Sequence, residues 1–436
     1  MNLFKNIKTA NREHLAWYLY DFGNSAYAAV ILLAIYSAYF KGEVVGGAAG
    51  SRLWGISVGI AMLVVALSSP ILGAIADYTG MKKRFLLIFS AVTWIFTALL
   101  FFVQKGDIIM GMVFFIIAEV GYRSGQVFYN SLLPEIAGPD EIGRVSGNGW
   151  AIGSFGGILC LVIILPLIMF IPGSLIIRLA MVFTAFYFMA AALPLFFWIK
   201  EKAQPKALPE GETYLSVAFR RLINTAQEMG DFREFIRFII AFLVYNDGIL
   251  MALNFAAIIG AVLFGMEQQQ LIIFMIIVQI TSVAGAYLAG LTGSKIGYKK
   301  TLSYSILMMT AVVIAMIFAQ NITQFYIIGA LAGFSLTGVQ SISRTLVSYF
   351  APEGRSAEFY GFFAVTGRTS SFLGPTIYGL LAAEAAFWFE RQGYTALIAE
   401  QMGQRLAIGS IAVFLVFGLL ILLGVKDPTR MDPQHE

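Results

Sequence analysis

The chain reads Gly73-Ala-Ile-Ala-Asp77-Tyr-Thr-Gly80-Met-Lys82-Lys83-Arg84 between two long apolar runs, and a similar loop follows almost half a chain later. The second copy is Gly290-Leu-Thr-Gly-Ser294-Lys295-Ile-Gly297-Tyr-Lys299-Lys300. The glycines and the paired lysines of the two loops correspond at one offset of 217 residues, from Gly73 to Gly290. A repeated loop between apolar runs indicates a membrane protein built from two parallel halves. This is a common plan of secondary transporters, in which the substrate site lies between the halves.

The composition excludes a soluble protein. Of the 436 residues, 59% are hydrophobic and only 12% are charged, and the mean hydropathy is +0.79. Because a soluble protein needs far more charge on its surface, the chain is predicted to be an integral membrane protein. The single cysteine, Cys160, excludes an internal disulfide framework and a cysteine-based metal cluster. We expect no cofactor, no metal and no nucleic-acid partner, and we expect a monomer in a lipid bilayer.

Twelve apolar stretches are long enough to cross a bilayer, which takes about 20 residues. They lie at about 15–40, 52–76, 84–103, 108–133, 145–171, 175–199, 235–264, 270–293, 301–319, 323–350, 358–383 and 405–425. The pattern predicts an all-α membrane protein with twelve transmembrane helices in two pseudo-symmetric six-helix bundles, residues 1–199 and 235–436. Between them, residues 200–234 form a hydrophilic linker, either a solvated tether or a segment with a short amphipathic helix on the membrane surface.

The distribution of lysine and arginine predicts the orientation. With the amino terminus inside, 19 of the 29 basic residues fall in cytoplasmic segments and 5 in external ones. Basic residues are enriched in cytoplasmic loops of membrane proteins, so both termini are predicted to be cytoplasmic.

The repeated loop resembles the loop between helices 2 and 3 of the major facilitator superfamily, which reads roughly G-x-x-x-D-x-x-G-x-K/R-K/R. The matching residues are Gly73, Asp77, Gly80, Lys82 and Lys83, with Gly290 and Gly297 in the second copy. Tyr78 and Met81 depart from the pattern, and Ser294 replaces the acid in the second copy. The resemblance implies that these residues form a gate and that Asp77 helps to close the cytoplasmic side. The lysines also serve orientation.

Three further segments carry a narrower resemblance. They read Trp17-Tyr-Leu-Tyr20-Asp21-Phe-Gly-Asn24-Ser25-Ala26-Tyr27, Phe128-Tyr129-Asn130-Ser131-Leu-Leu-Pro134-Glu135 and Arg144-Val-Ser146-Gly147-Asn-Gly149-Trp150. They are similar to the vacuole-effluxer family, which contains the fungal vacuolar amino-acid exporter and many bacterial relatives. The resemblance implies export of a small solute. We expect the protein in a bacterial cytoplasmic membrane.

An ionisable side chain in mid-membrane costs on the order of 3 kcal/mol, so each of the six expected to be buried within predicted spans is a functional candidate. They are Asp21, Glu119, Arg123, Asp247, Arg344 and Arg368, and Asn24 completes the candidates for substrate binding and ion coupling. Five of the six lie on helices 1, 4, 7 and 10, which line the central cavity in the resembled fold. Acid and arginine side chains together can hold a zwitterion, with a guanidinium on its carboxylate and a carboxylate near its ammonium.

The roles of the acids stay open at this point. Glu119 and Arg123 are spaced i, i+4 with the acid first, the favourable order for an ion pair within a helix, so the pair is either structural or functional. Asp21 either binds neighbouring polar groups or titrates. Since no histidine lies within a span, proton coupling requires a carboxyl group. Asp21 and Asp247 are better placed than Glu119 for this role, because Arg123 would hold Glu119 ionised.

Three classes of function compete. The leading hypothesis is a secondary transporter that exports an amino-acid-like solute by alternating access, coupled to protons. A lipid, amphiphile or drug transporter of the same fold is the alternative. A membrane-embedded enzyme is disfavoured: the hydrolase-like Gly55-Ile-Ser57-Val-Gly59 lies inside a transmembrane run, and both histidines lie near the termini. The chain also lacks a phosphate-binding loop, which disfavours transport driven by ATP.

Overall fold

The computed structural model is all-α over the residues that it describes, which are 12–45, 47–138, 141–171, 173–202, 232–266, 268–427 and short pieces between 204 and 220. This part contains twelve long helices: α1 (Arg12–Val45), α2 (Gly47–Thr79), α3 (Lys82–Leu99), α4 (Ile108–Ser131), α5 (Ile142–Phe170), α6 (Ser174–Trp198), α7 (Arg233–Phe264), α8 (Gln268–Ile296), α9 (Tyr298–Phe318), α10 (Ile322–Phe350), α11 (Ser356–Arg391) and α12 (Ala396–Leu423). Each overlaps one predicted span, which confirms the predicted fold. Within the described residues, all of them except α11 meet both the length and the hydropathy expected of a membrane-spanning helix. Most of the linker, including its predicted amphipathic helix, lies outside the described residues.

The helices form two compact units. The first unit contains Met1–Asn224 and Ala351–Val365, and the second contains Thr225–Phe350 and Thr366–Glu436, so the division falls within α11. In the first unit α1 packs on α5 and α6, α2 on α4, and α3 on α4 and α6. In the second unit α7 packs on α12, α8 on α10, and α9 on α10 and α12. Four helix pairs of the first unit therefore recur at the corresponding places in the second, as a duplicated bundle requires.

In each repeat, a hydrogen bond joins the first helix to the segment that follows the sixth helix. Glu13 in the first turn of α1 accepts a hydrogen bond from the backbone N–H of Lys200, at 3.1 Å. Glu234 in the first turn of α7 accepts one from the backbone N–H of Lys426, at 2.6 Å. These carboxylates also lie at helix amino termini, where the helix dipole stabilises negative charge.

The two repeated loops also share their backbone conformation. Gly80 and Gly297 have φ angles of +63° and +97°, a region that glycine enters at little cost because it has no Cβ. Lys83 donates a hydrogen bond to the first carbonyl after α6, and Lys299 donates one to the last carbonyl of α12, both at 2.9 Å. The duplication seen in the sequence is therefore present in the loop geometry of each unit.

α1 changes its helical geometry along its length. It is α-helical over Arg12–Tyr27, π-helical over Ala28–Ala34, and π-helical again over Phe40–Val45. The sequence predicted one regular span here. π-Helical turns are rare and are frequently found at functional sites. The first π-helical stretch begins one residue after Tyr27.

Candidate gate and substrate sites

One buried lysine organises the loop between α2 and α3. Lys82 is the first residue of α3, and only 2% of its side chain is exposed. Its Nζ lies 3.2 Å from Asp77 Oδ1 and 2.8 Å from Glu135 Oε1. It also donates a hydrogen bond to Ser356 Oγ at the start of α11, at 2.7 Å. A buried ammonium group requires partners of this kind, because an unpaired charge away from water is costly.

Asp77 connects the same loop directly to α11. Its Oδ2 accepts a hydrogen bond from the backbone N–H of Glu358, at 2.8 Å, in the first turn of that helix. The N–H groups of a first turn have no partner within their helix, and the helix dipole favours a carboxylate there. Gly73 allows the close approach, because a Cβ at this position would lie 2.4 Å from the carbonyl oxygen of Ala357. All of these residues belong to the first unit.

Glu201 is a member of this network that the sequence did not reveal. Its carboxylate accepts hydrogen bonds from the backbone N–H groups of Lys82 and Lys83 at the start of α3. Its Oε1 is buried and has no hydrogen-bond partner in the described part of the chain. Burial, together with the nearby charge of Glu135, raises the pKa of Glu201 above its ordinary value. In the sequence Glu201 is one of many charged residues of the linker, and nothing distinguishes it.

The predicted gate residues differ between the two copies. In the first copy, all predicted residues lie in or beside the loop that contacts α11. They are Gly73, Asp77, Gly80, Lys82 and Lys83. In the second copy Ser294 stands in place of the acid, and its hydroxyl donates to a carbonyl of its own helix at 2.9 Å. Gly290 is buried in α8, and Gly297 forms the turn into α9. The sequence change to serine thus coincides with the loss of the acid contact.

The predicted pair in α4 forms as an ion pair within the helix. Arg123 Nε donates to Glu119 Oε1 at 2.6 Å. The Glu119 side chain is fully buried, whereas 21% of the Arg123 side chain is exposed. Glu119 Oε2 is buried without a hydrogen-bond partner among the described residues. The terminal nitrogens of the guanidinium are bonded to no described residue, so Arg123 keeps an edge that a ligand can contact.

Two tyrosines that the sequence analysis did not select frame this pair. The Arg123 guanidinium lies 5.0 Å from the centre of the Tyr122 ring, a cation–π contact. Tyr122 stacks on Tyr27 of α1 with ring centres 4.5 Å apart, and the Tyr27 side chain neighbours Glu119. The Tyr27 hydroxyl is buried and shares a hydrogen bond with the Glu119 side chain, whereas Asn24 Oδ1 is buried without a hydrogen-bond partner in the described residues. Buried unpaired polar atoms are uncommon in proteins and need an explanation, for which a bound ligand is one.

The other two predicted acids lie between helices of their own units. Asp21 is buried in α1 against α5, where a Cβ at Gly153 would lie 2.9 Å from its Cγ. Asp247 is buried in α7, and its Oδ1 accepts a hydrogen bond from the backbone N–H of Gly374 in α11, at 3.1 Å. Each acid therefore lies against a glycine of a neighbouring helix.

The two predicted arginines of the second unit, Arg344 and Arg368, add little to the description of a binding site. Arg344 is buried in α10, next to Ser343, whose hydroxyl is 2.7 Å from that of Tyr245 in α7. Arg368 lies on α11, but its side chain is outside the described part of the structure. The candidate substrate site is consequently built from Asn24 and Tyr27 of α1 and from Glu119, Tyr122 and Arg123 of α4.

Several solved structures have the same fold. The human organic anion transporter MFSD10 (TETRAN) matches with a TM-score of 0.72 at 12% sequence identity, covering 94% of this chain and 99% of its own. The proton:xylose symporter XylE matches with a TM-score of 0.68 at 13% identity, covering 95% of each chain. At such low identity the likeness concerns the fold alone. The fold is that of the major facilitator superfamily of membrane transporters.

The sequence comparisons add the family. A sequence profile of the vacuole effluxer Atg22-like proteins matches residues 53–427, and the chain belongs to this family. The uncharacterized MFS-type transporter YxiO of Bacillus subtilis is 24% identical over 442 residues, which cover 99% of this chain and 98% of the relative. Autophagy-related protein 22 of Yarrowia lipolytica is 24% identical over 270 residues, covering 55% of this chain and 45% of that protein. The protein is therefore an integral membrane transporter of a small molecule and not an enzyme, as the sequence predicted.

Proposed function

We propose that the protein is a secondary transporter that moves a small zwitterionic, amino-acid-like solute by alternating access, coupled to protons. The observation that carries this proposal is the ion pair of α4, in which a buried Glu119 holds Arg123 by Nε and leaves its terminal nitrogens open. A guanidinium edge with two free nitrogens suits a carboxylate, which it binds through two parallel hydrogen bonds. Asn24 Oδ1 is an acceptor suited to the ammonium group of the same solute.

We propose that the Lys82 network acts as a gate on the cytoplasmic side of this transporter. The bonds from Asp77 to the first turn of α11 and from Lys82 to Ser356 hold the segment Ala351–Val365 within the first unit. Buried, charge-assisted hydrogen bonds of this type contribute about 1.5–3 kcal/mol each, so their loss shifts the balance between two conformations of the transporter. The cytoplasmic assignment of this loop rests on the bias of basic residues.

We propose that the protein acts as a monomer in a bacterial cytoplasmic membrane with both termini in the cytoplasm. The family description as an effluxer supports export. For a proton-coupled protein, however, the direction depends on whether solute and proton move together or in exchange.

Transport into proteoliposomes tests the proposal. Each proteinogenic amino acid is offered in labelled form, with and without a pH gradient. We expect the gradient to drive accumulation of at least one amino acid, and a protonophore to abolish it. Arg123→Gln should remove transport, whereas Arg144→Gln should keep it, because Arg144 forms an exposed pair with Glu141 at the start of α5. Movement of lipids or amphiphiles without any amino acid would contradict the proposal and favour the alternative function.

A further inference from the structure

The linker is fastened to the first unit by its first three residues. The backbone N–H of Lys200 donates to Glu13 Oε1 at 3.1 Å, and that of Lys202 donates to Glu135 Oε2 at 2.9 Å. Between them, the Glu201 carboxylate accepts hydrogen bonds from backbone N–H groups at the start of α3. Successive residues of the linker are thus bound to α1, to α3 and to the segment after α4. We call these three residues the strap.

Glu135 joins the strap to the Lys82 network. Its Oε2 binds the strap through Lys202, whereas its Oε1 lies 2.8 Å from the ammonium group of Lys82. Lys82 in turn donates to Ser356 at the start of α11. One carboxylate is therefore held by the linker through one oxygen and by the network through the other. A side chain that is already held loses less freedom when it binds a second partner, so release of the strap weakens the bond from Glu135 to Lys82.

The second repeat begins in the same way and then differs. Lys426 corresponds to Lys200 of the strap, and its backbone N–H is likewise bonded to the first turn of the first helix of its repeat. The residue that corresponds to Lys202 is Pro428, which has no backbone N–H to donate. The sequence therefore provides for the third bond of the strap in the first repeat alone, where the chain continues into the linker.

Titratable groups are dense at this end of the first unit. They are Glu13 of α1, Asp77 of α2, Lys82 and Lys83 of α3, Glu135 after α4, the three strap residues, and Arg355 and Glu358 of α11, which pair with each other at 3.0 Å. Of these, Glu135 and Lys82 act on the charge of Glu201. The ammonium group of Lys82 is already shared by Asp77 and Glu135, so it compensates a third acid poorly. Burial and Glu135 therefore outweigh Lys82, and the pKa of Glu201 lies above its ordinary value.

Protonation of Glu201 favours the bound strap. In the released strap Glu201 is in water and has the ordinary affinity of a glutamate for a proton. Because the bound form holds a proton more tightly, a fall in pH shifts the balance toward the bound strap, and a rise in pH shifts it toward release. The proton is accepted by Glu201 Oε1, which is buried without a hydrogen-bond partner in the described residues. Burial of a neutral carboxyl group costs less than burial of a charged one.

We propose that the strap is a pH-sensitive latch on the gate, bound to Glu135 as the cytoplasm becomes more acidic and released as it becomes more alkaline. This inference rests on the gate function proposed above for the Lys82 network, and it adds a regulation of that gate. The bound strap slows opening of the gate and thus slows transport. In the release step the O–H bond of Glu201 breaks, its proton passes to water, and no other covalent bond changes.

A spin label reports whether the strap is bound. The label is attached to a cysteine at Gln204, which is exposed, in a Cys160→Ser background, and the full chain is purified in detergent. We expect the mobile fraction of the label to grow as pH rises from about 5 to about 8. The ratio of mobile to immobile label should change by at most about tenfold per pH unit, the limit for one proton. Glu201→Gln keeps an acceptor oxygen without a charge and should hold the label immobile at every pH.

Two substitutions of one residue test the action of the strap on the gate. Lys202→Ala keeps the N–H that Glu135 accepts, whereas Lys202→Pro removes it. Counterflow exchange of the transported solute is measured with equal pH on both sides of proteoliposomes. We expect exchange to be about threefold faster in Lys202→Pro than in Lys202→Ala near pH 6, and equal near pH 8, where the strap is released in both. If Lys202→Pro does not fold, Glu201→Ala must show a mobile label at every pH.

Several outcomes would overturn the inference. A label whose mobility in the unaltered protein does not depend on pH, or increases as pH falls, would contradict the latch. Equal exchange rates of the two Lys202 variants near pH 6 would show that the strap does not act on the gate. Absence of any transported solute would contradict the proposed function, whereas the spin label measures the strap without transport.

Discussion

At the scale of single residues, Asp77 has a contact that its counterpart in the second loop lacks. Its carboxylate accepts a hydrogen bond from the backbone N–H of Glu358, whereas Ser294 bonds within its own helix. Asp77→Asn removes the charge from this bond and from the pairing with Lys82. We expect transport to slow by about tenfold, as the loss of roughly 1.5 kcal/mol would cause, with little change in solute affinity. Initial rates and binding constants in proteoliposomes measure both effects. Asp107→Asn, at an exposed turn, is the control, and an equal loss of rate there would contradict the prediction.

Glu201 should make stability depend on pH. The pKa of Glu201 is raised in the folded protein. At a pH between the ordinary pKa and this raised pKa, the folded protein therefore keeps a proton that the unfolded chain has lost. Stability contributed by this group is thus lost as pH rises through the raised pKa. Glu201→Gln stays neutral and keeps an oxygen that can accept the N–H groups of α3. We expect a melting temperature about 1–2 °C above that of the unaltered protein near pH 8, and no difference near pH 4. The effect is small because part of the side chain is exposed to solvent.

Thermal unfolding in detergent at the two pH values provides the measurement for Glu201. Glu353→Gln, at an exposed position before α11, should leave the melting temperature unchanged at both pH values. A gain that is the same at both pH values would show that charge on Glu201 is not its cause.

The sequence predicted some of these residue contacts and missed others for a physical reason. The Glu119–Arg123 bond could be predicted because the two residues lie one turn apart on one helix, where spacing alone brings side chains together. The bond from Lys82 to Ser356 joins residues 274 positions apart, and no local pattern encodes it. Tyr27 and Tyr122 were likewise missed, because their stacking depends on how α1 and α4 pack.

At the scale of elements, the start of α11 approaches α2 through a glycine. A Cβ at Gly73 would overlap the carbonyl oxygen of Ala357 at 2.4 Å, so the backbones must separate to accept it. We expect Gly73→Ala to weaken the adjacent bonds of Asp77 and Lys82 and to reduce transport several-fold. Gly59→Ala is a matched control on the same helix, because nothing lies within 4 Å of its added Cβ. In a Cys160→Ser background, a cysteine at Ser356 should react faster with thiol reagents in Gly73→Ala than in Gly59→Ala. Equal labelling would contradict the predicted separation.

Helix positions were predictable because hydrophobic length is a local property, whereas helix geometry was not. Every predicted span overlaps a long helix. The change of α1 to π-helical geometry over Ala28–Ala34 was missed, since Ala28-Ala-Val-Ile-Leu-Leu-Ala34 has the composition of an ordinary apolar helix. The π-helical stretch packs against α5, where a Cβ at Gly157 would lie 3.5 Å from Ala29 Cβ, and such contacts between helices are not encoded in a local pattern.

At the scale of the whole molecule, the repeated loops should lie on one side of the membrane together with both termini. A green fluorescent protein fused after the carboxyl terminus should fluoresce, since it folds in the cytoplasm. Single cysteines at Lys105 and Lys206 should react differently: the first with an impermeant reagent added to whole cells, the second only after permeabilisation. Cys160 is buried and is the only cysteine, so one substitution provides the background for these variants. Labelling of both sites from outside would contradict the orientation inferred from the basic residues.

The paired bonds of Glu13 with Lys200 and of Glu234 with Lys426 bear on the origin of the chain. Each bond joins the beginning of a six-helix repeat to the segment just after its end. Each repeat is therefore held together at its ends by a bond of its own, which we call its closure. Such closure serves a protein of six helices that had to hold together before a second copy was joined to it. The acid of the first loop has no such twin, because serine stands at the matching place. The hydrogen bonds at the ends of the repeats thus keep the symmetry of the duplication, whereas the acid of the loop is found in one copy alone.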